Sequence, residues 1–281
     1  MHWLVTGARG MLGQDLVAQI AARGDTVTAF DRDELDITDP VACREVVRGH
    51  DVVVNCAAWT AVDDAEAHEG EAFTVNAVGP ASLARATAAH GVRLVQISTD
   101  YVFDGVATSP YAEDAPAAPR SAYGRTKLAG EWAIRAEAPD HLIVRTAWLY
   151  GAAGRCFPKT IARVAAERGS LDVIDDQVGQ PTWTVDLADL VLRLVDAEAP
   201  SGTYHGTSTG QTSWHDFARA VVAAAGLDPA IVARTSSASF ASPAPRPTFS
   251  VLGHSALERI GIDPIGQWAA RWGVAAPAVL G

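Results

Sequence analysis

His2-Trp3-Leu4-Val5-Thr6-Gly7-Ala8-Arg9-Gly10-Met11-Leu12-Gly13 decides the fold of this chain. A largely apolar run that reads as a strand breaks into glycines spaced GxxGxxG, and an amphipathic stretch continues to Arg23. Gly7 permits a tight turn, Gly10 lets a pyrophosphate approach the backbone, and Gly13 lets the following helix pack closely. The helix start presents the positive end of its dipole to that phosphate. Strand, glycine turn and helix in this order predict a dinucleotide site.

Outward from this unit, β-branched runs alternate with Ala/Leu/Val-rich amphipathic stretches. The runs are His2 to Thr6, Thr26 to Phe30, Asp51 to Cys56, Arg93 to Ser98 and His141 to Thr146. Helices are predicted for Met11 to Arg23, Val41 to Gly49, Phe73 to His90 and Ala122 to Glu137, with Gly24, Gly49 and Gly91 as closing glycines. The pattern predicts an α/β chain: a Rossmann-type doubly wound parallel sheet with a smaller α/β substrate-binding lobe. Residues 1–150 read as the NAD(P)-binding domain, with segments 176–197 and 246–262 returning to it, and 151–281 as mainly the substrate lobe. In that lobe helices are expected at 158–168, 185–195, 214–225, 255–260 and 265–272, with a strand at 171–174.

The chain has 281 residues, and its 22 Lys+Arg against 33 Asp+Glu give a net charge of −11. That balance argues against nucleic-acid binding, so an anionic ligand must be met by helix N–H groups or a few placed Arg. No basic leader or long apolar run marks export or membrane insertion, and a cytoplasmic setting is expected. Cys43, Cys56 and Cys156 lack metal or disulfide spacing and read as free thiols. Only two of the basic residues are lysines, Lys127 and Lys159.

At the predicted end of the second strand stands Asp31, then Arg32. An acid there bonds the adenine-ribose 2′-OH of NAD, whereas Arg accommodates the 2′-phosphate of NADP, so the pair leaves NADPH or NADH open. Ser98-Thr99-Asp100 ends the fourth strand, and Tyr123-Gly124-Arg125-Thr126-Lys127 lies on a helix. Tyr and Lys four apart rise about 6 Å on one helix face. A free phenol titrates near pH 10; a neighbouring ammonium and an oxidised nicotinamide would draw it down, making Tyr123 a tuned general acid. Thr99 would hold a substrate carbonyl, and Asn76 stands on the preceding helix.

With Asn55 to Thr60, Ser98-Thr99-Asp100-Tyr101-Val102-Phe103-Asp104-Gly105, Arg145 to Tyr150, Asp175 to Thr182 and Arg246-Pro247, the chain resembles the extended short-chain dehydrogenase/reductase family over essentially its full length. The resemblance implies NAD(P)H-dependent reduction of the C4 ketone of dTDP-4-dehydro-6-deoxy-L-mannose to dTDP-L-rhamnose. It implies cofactor contacts at Gly7, Gly10, Met11, Leu12, Gly13, Asp31, Arg32, Asp36, Ile37, Ala57, Ala58, Trp59, Thr60 and Asn76. It assigns catalysis to Thr99, Tyr123 and Lys127, the last two also meeting the cofactor, and substrate contacts to Thr99, Asp100, Tyr101, Trp148 and Arg246. Related dehydratases carry Thr-Asp-Glu; Tyr101 follows Thr99-Asp100 here, which disfavours elimination. A related 4-keto-sugar reductase or 4-epimerase is a lesser alternative. A non-catalytic NADP-binding regulatory subunit, similar to the β subunit of methionine adenosyltransferase, is the reading of a different class.

Some reductases of this type dimerise around Mg²⁺ held by Glu side chains. Asp15 stands at one such position, but no Glu stands near Val185 and Asp186 reads as a helix-start acid. No metal, no metal-bridged dimer, and a monomer or weak homodimer are expected.

Overall fold

The computed structural model describes residues 1–281. Its first half runs β1 (His2–Thr6), α1 (Met11–Ala22), β2 (Thr26–Phe30), α2 (Pro40–Val47), β3 (Val52–Asn55), α3 (Glu69–Phe73), α4 (Gly79–His90), β4 (Arg93–Thr99), α5 (Ala122–Glu137) and β5 (His141–Thr146). The second half runs β6 (Leu149–Tyr150), α6 (Phe157–Arg168), β7 (Leu171–Ile174), β8 (Val178–Gly179), β9 (Thr182–Trp183), α7 (Thr184–Asp196) and β10 (Gly202–His205). It closes with β11 (Ser208–Thr209), β12 (Thr212–Ser213), α8 (Trp214–Ala224), β13 (Val232–Thr235), α9 (Ser255–Arg259), β14 (Ile265–Gln267) and α10 (Trp268–Leu280).

Six strands form one sheet in the order β10-β5-β4-β3-β1-β2, parallel throughout. The strand order reverses beside β1, so a crevice opens at the carboxyl ends of β1 and β3, where ligands bind in such sheets. Successive β1 side chains feed opposite layers. Trp3 and Val5 pack with Leu16, Leu187 and Val191 on one face, and Leu4 packs with Leu83, Leu94 and Ile134 on the other. Helix α7 thus closes the sheet face that α1 begins. A separate core joins Tyr150, Ile161, Trp183, Phe217, Val221 and Trp272, and draws α6, α8 and α10 into a second lobe.

The short second-lobe strands β6, β8, β9, β11, β12 and β13 lie outside the sequence reading, and three further stretches differ from it. The sixth strand, β10, was not expected, because Gly202-Thr203-Tyr204-His205 is short and lacks the β-branched run of its neighbours. Residues 265–267 pair with β11 rather than opening a helix; α10 begins at Trp268, where the Gln267 side chain accepts the N–H groups of Ala269 and Ala270. The stretch 73–90 is interrupted by a π-helical turn, Thr74–Val78. No helix is long and apolar enough to cross a membrane.

Candidate active site

One cleft of about 1410 Å³ opens along the carboxyl ends of the sheet strands and extends between the lobes. Its first wall is the glycine turn. Gly7 has φ +66°, and a Cβ there would lie 2.6 Å from the Ala57 amide nitrogen, so a side chain would push the β1 and β3 loops apart. A Cβ on Gly13 would lie 2.3 Å from the Gly7 carbonyl oxygen. Gly10 caps α1 without any side-chain bond, and no acid stands in the first turn. The leading N–H donors therefore face the cleft unspent, which is what a diphosphate requires. This cradle fits a nicotinamide dinucleotide.

At the far end of that wall, Asp31 accepts N–H bonds from Arg9 (3.0 Å) and Arg32 (2.8 Å). The Arg9 guanidinium turns away to Asp33 and Glu34, leaving Arg32 exposed beside Asp31. Asp36 accepts both the N–H and the hydroxyl of Thr38, bonds that hold its carboxyl below the usual range. Ile37 is buried against Gly79. Ala57, Ala58, Trp59 and Thr60 follow β3 along the cleft. Asn76, buried in the π-helical turn, pins that loop by accepting the Trp59 N–H and donating to the Trp59 carbonyl and the Thr126 hydroxyl. Asn76 therefore sets the loop's position and does not line the cleft.

Thr99, Tyr123 and Lys127 converge in the middle of the cleft. Thr99 ends β4; its hydroxyl donates to Asp100 (2.9 Å), accepts the Tyr101 N–H (3.2 Å) and borders the Tyr123 phenol. The α5 N-terminus is fixed by Ser121, whose hydroxyl accepts the Gly124 N–H. Gly124 is obligatory, since a Cβ would lie 2.2 Å from the Tyr101 carbonyl oxygen. Burial pushes the Tyr123 phenol well above its ordinary pKa, with Thr99 opposing and Asp100 adding to the shift. Lys127 donates to the Ile97 carbonyl (2.7 Å), and burial draws its ammonium down to about 8 against the pull of Glu131. The expectation that Lys127 acidifies the phenol thus meets a stronger opposing force, desolvation, and the ammonium here faces a carbonyl and Glu131 instead. Burial likewise pushes the Asp100 carboxyl up to about 6.

The opposite wall is aromatic. Trp148 has φ +49° and stacks on Trp214, which in turn meets Phe157 at 4.4 Å. Tyr101 meets Tyr123 edge to face at 5.5 Å, and Arg246 is shared between the Tyr101 hydroxyl (3.3 Å) and Asp63 (2.6 Å). Phe157, Trp214, Ser237 and Phe240 line the cleft without being singled out in the sequence, and Gln177 lines it from the Asp175 to Thr182 stretch. They come from separate second-lobe elements whose meeting no local spacing encodes. Asp186 spends both carboxylate oxygens on Arg271, at 2.6 and 2.8 Å, and Asp15 is desolvated beside Thr184.

The family profile described as the RmlD substrate binding domain matches residues 1–276. A Streptomyces griseus protein named dTDP-4-dehydrorhamnose reductase is 49% identical over 287 residues, covering 100% of this chain and 94% of the relative. A Streptomyces antibioticus protein, named as a probable dTDP-4,6-dihydroxy-2-methyloxan-3-one 4-ketoreductase, is 46% identical, covering 100% of this chain and 96% of the relative. The crystal structure of a Bacillus anthracis dTDP-4-dehydrorhamnose reductase in complex with NADP aligns with a TM-score of 0.94 at 35% identity, covering 98% of each chain.

Proposed function

The chain belongs to the RmlD substrate binding domain family, and from that premise we propose that it is an NAD(P)H-dependent oxidoreductase reducing the C4 ketone of dTDP-4-dehydro-6-deoxy-L-mannose to dTDP-L-rhamnose. The observation that carries this reading is the meeting of Thr99, Tyr123 and Lys127 with the uncapped glycine turn in one cleft. A binding module has no chemical use for that trio.

Gly10, Met11 and Leu12 hold the cofactor diphosphate, Asp31 and Arg32 face its adenine ribose, and Lys127 reaches its nicotinamide ribose. When bound, the reduced nicotinamide supplies the hydride. Thr99 orients the ketone oxygen toward Tyr123, which gives it a proton as negative charge develops there. The burial that raises the phenol's pKa keeps Tyr123 in its acid form until that moment, which suits reduction rather than oxidation. Trp148 and Tyr101 enclose the sugar, and Arg246 approaches the nucleotide diphosphate. The aromatic wall gives the apolar face of a 6-deoxy sugar its contact.

In the same reading, residues 1–150 with 176–197 and 246–262 form the cofactor-binding unit, and the rest of 151–281 the nucleotide-sugar lobe. The enzyme works as a monomer or weak homodimer without a bridging metal, since Arg271 occupies Asp186. Its free thiols, Cys43, Cys56 and Cys156, suit a reducing cytoplasm.

The test is NADPH and NADH oxidation with dTDP-4-keto sugars generated in situ by a dehydratase and an epimerase, followed by product stereochemistry. Consumption yielding dTDP-L-rhamnose is expected. No consumption with any ketone overturns the enzymatic reading, and a product of other C4 configuration overturns the choice of sugar.

A further inference from the structure

Beneath the reacting residues lies a buried carboxylate that the mechanism leaves unused. Glu131 sits one helical turn after Lys127 on α5, with its side chain fully enclosed. One carboxylate oxygen accepts the Ser98 hydroxyl (2.6 Å) and the Arg145 Nε (2.9 Å). The other accepts Arg145 Nη2 (2.8 Å) and Arg135 Nη2 (2.9 Å). Ser98 and Arg145 are direct partners across β4 and β5, and the next pair in the register is Thr99 with Thr146. Trp148 follows two residues after Thr146. The strand ends carrying Thr99 and Trp148 are therefore tied to the helix carrying Tyr123 and Lys127 through one side chain.

We propose that Glu131 is a positioning residue for the hydride-transfer site: it locks α5 onto the ends of β4 and β5 and supplies the counter-charge that keeps the Lys127 ammonium in place. The first half follows from its bonds. The second follows from what else faces Lys127. From the loop just after β3 comes Cys56, whose thiol burial pushes up to about 12, so it stays neutral. From α5 itself come Tyr123, also neutral, and Glu131, held ionised by Arg145 against its burial. Arg145 and Arg135 are cations, and His205, near Arg145 on β10, is drawn down to about 4 and is neutral. Asp100, just after β4, is pushed up to about 6, and its charge acts on Tyr123, raising that phenol, rather than on Lys127. Glu131 is thus the carboxylate that acts on the Lys127 ammonium, and without it that buried cation has no carboxylate to oppose its desolvation.

This rests on the proposed reductase reading for its kinetic arm and is independent of it for the other. The chain has only two lysines, so a protein labelled with ¹³Cε-lysine gives two lysine signals, and Lys159→Arg assigns them. In Glu131→Gln the Lys127 signal is expected to titrate at least about half a pH unit lower than in the wild type. With the proposed substrate, dTDP-4-dehydro-6-deoxy-L-mannose, kcat should fall about tenfold or more while KM for cofactor and sugar nucleotide stays within about threefold. A folded Glu131→Gln protein whose Lys127 titrates as in the wild type overturns the proposal, whatever its activity. Should that variant not fold, Ser98→Ala decides through kcat. It removes one tether and leaves the Arg145 pair, so a few-fold loss of kcat at unchanged KM supports the proposal, and wild-type kcat overturns it. Absence of turnover in the wild-type protein itself sinks the reductase reading alone, leaving the lysine titration to judge Glu131.

Discussion

Trp148 and Trp214 lie ring on ring, with centroids 3.5 Å apart and planes 7° from parallel. The contact joins the sheet-bearing part of the chain to α8 of the second lobe, and it holds Trp148 in a left-handed backbone conformation, φ +49°, that costs about 1–3 kcal/mol in a residue with a side chain. Gly179 passes so close to the indole edge that a Cβ would stand 2.4 Å from Cε2. Trp148 is therefore fixed on its face by Trp214 and on its edge by a glycine. Replacing Trp214 by Ala should raise KM for the sugar nucleotide about tenfold, with kcat within a few-fold, because the wall loses its support rather than its reacting groups. Steady-state kinetics check it; unchanged KM would show that Trp148 needs no backing.

Tyr123→Phe removes the proton donor while leaving the ring in place. A loss of about 10³-fold in kcat is expected, with cofactor Kd unaltered. The alkaline side of the pH profile should follow Lys127. Its pKa sits near 8, so the charged form dominates below that value, and kcat/KM should decline as pH rises through about 8. A profile flat to pH 10 would contradict this role for the ammonium.

The glycine turn and the Tyr-Lys helix were legible in the sequence because each is a local device. Gly7, Gly13 and Gly124 are dictated by close backbone approach, and Tyr123 with Lys127 by one turn of helix. Trp214, Phe157 and Phe240 were not legible, since each comes from a different second-lobe element and only tertiary packing brings them to one cleft wall. The phenol's raised pKa escaped the sequence for the same reason. Spacing reveals that a lysine is near, whereas desolvation depends on everything else that encloses the ring. The edge strand β10 escapes the sequence because Gly202-Thr203-Tyr204-His205 reads as a loop until β5 pairs with it, Tyr204 against Val144.

Cofactor choice turns on Asp31, Arg32 and Arg9. In the proposed cofactor pose the Asp31 carboxylate would face the 2′ substituent, and Arg9, the other nearby cation, is drawn off by Asp33 and Glu34. A 2′-phosphate must then rely on Arg32 against an acidic surface. Asp31→Ala should shift the NADPH to NADH ratio of kcat/KM about tenfold toward NADPH, which corresponds to about 1.4 kcal/mol. Arg32→Ala should shift it the opposite way. Both shifts should shrink in high salt, because these groups are exposed. Equal ratios in all three proteins would place 2′ recognition elsewhere.

Asp63 helps to hold the Ser/Ala/Pro-rich loop of residues 236–247 against the cleft. Its carboxylate accepts the Ser242 hydroxyl (2.9 Å), the Ala244 N–H (3.2 Å) and Arg246 Nη2 (2.6 Å). The loop places Ser237 and Phe240 on the cleft wall; Asp176 pins its start at Ser236 and Ser237, and Asp63 pins its far end. An isolated half-exposed ion pair is worth about 1 kcal/mol or less, but here two further bonds to the same carboxylate are lost with it. Asp63→Ala should therefore loosen the loop while freeing the Arg246 guanidinium, with opposite effects on an anionic ligand. Loss of loop order acts on every contact the loop makes, whereas Arg246 gains mobility rather than charge. The net expectation is a rise of a few-fold in KM for the sugar nucleotide, little change in kcat, and faster proteolytic cleavage between 236 and 247 that saturating sugar nucleotide suppresses. A lowered KM would mean instead that Asp63 competes with the substrate for Arg246.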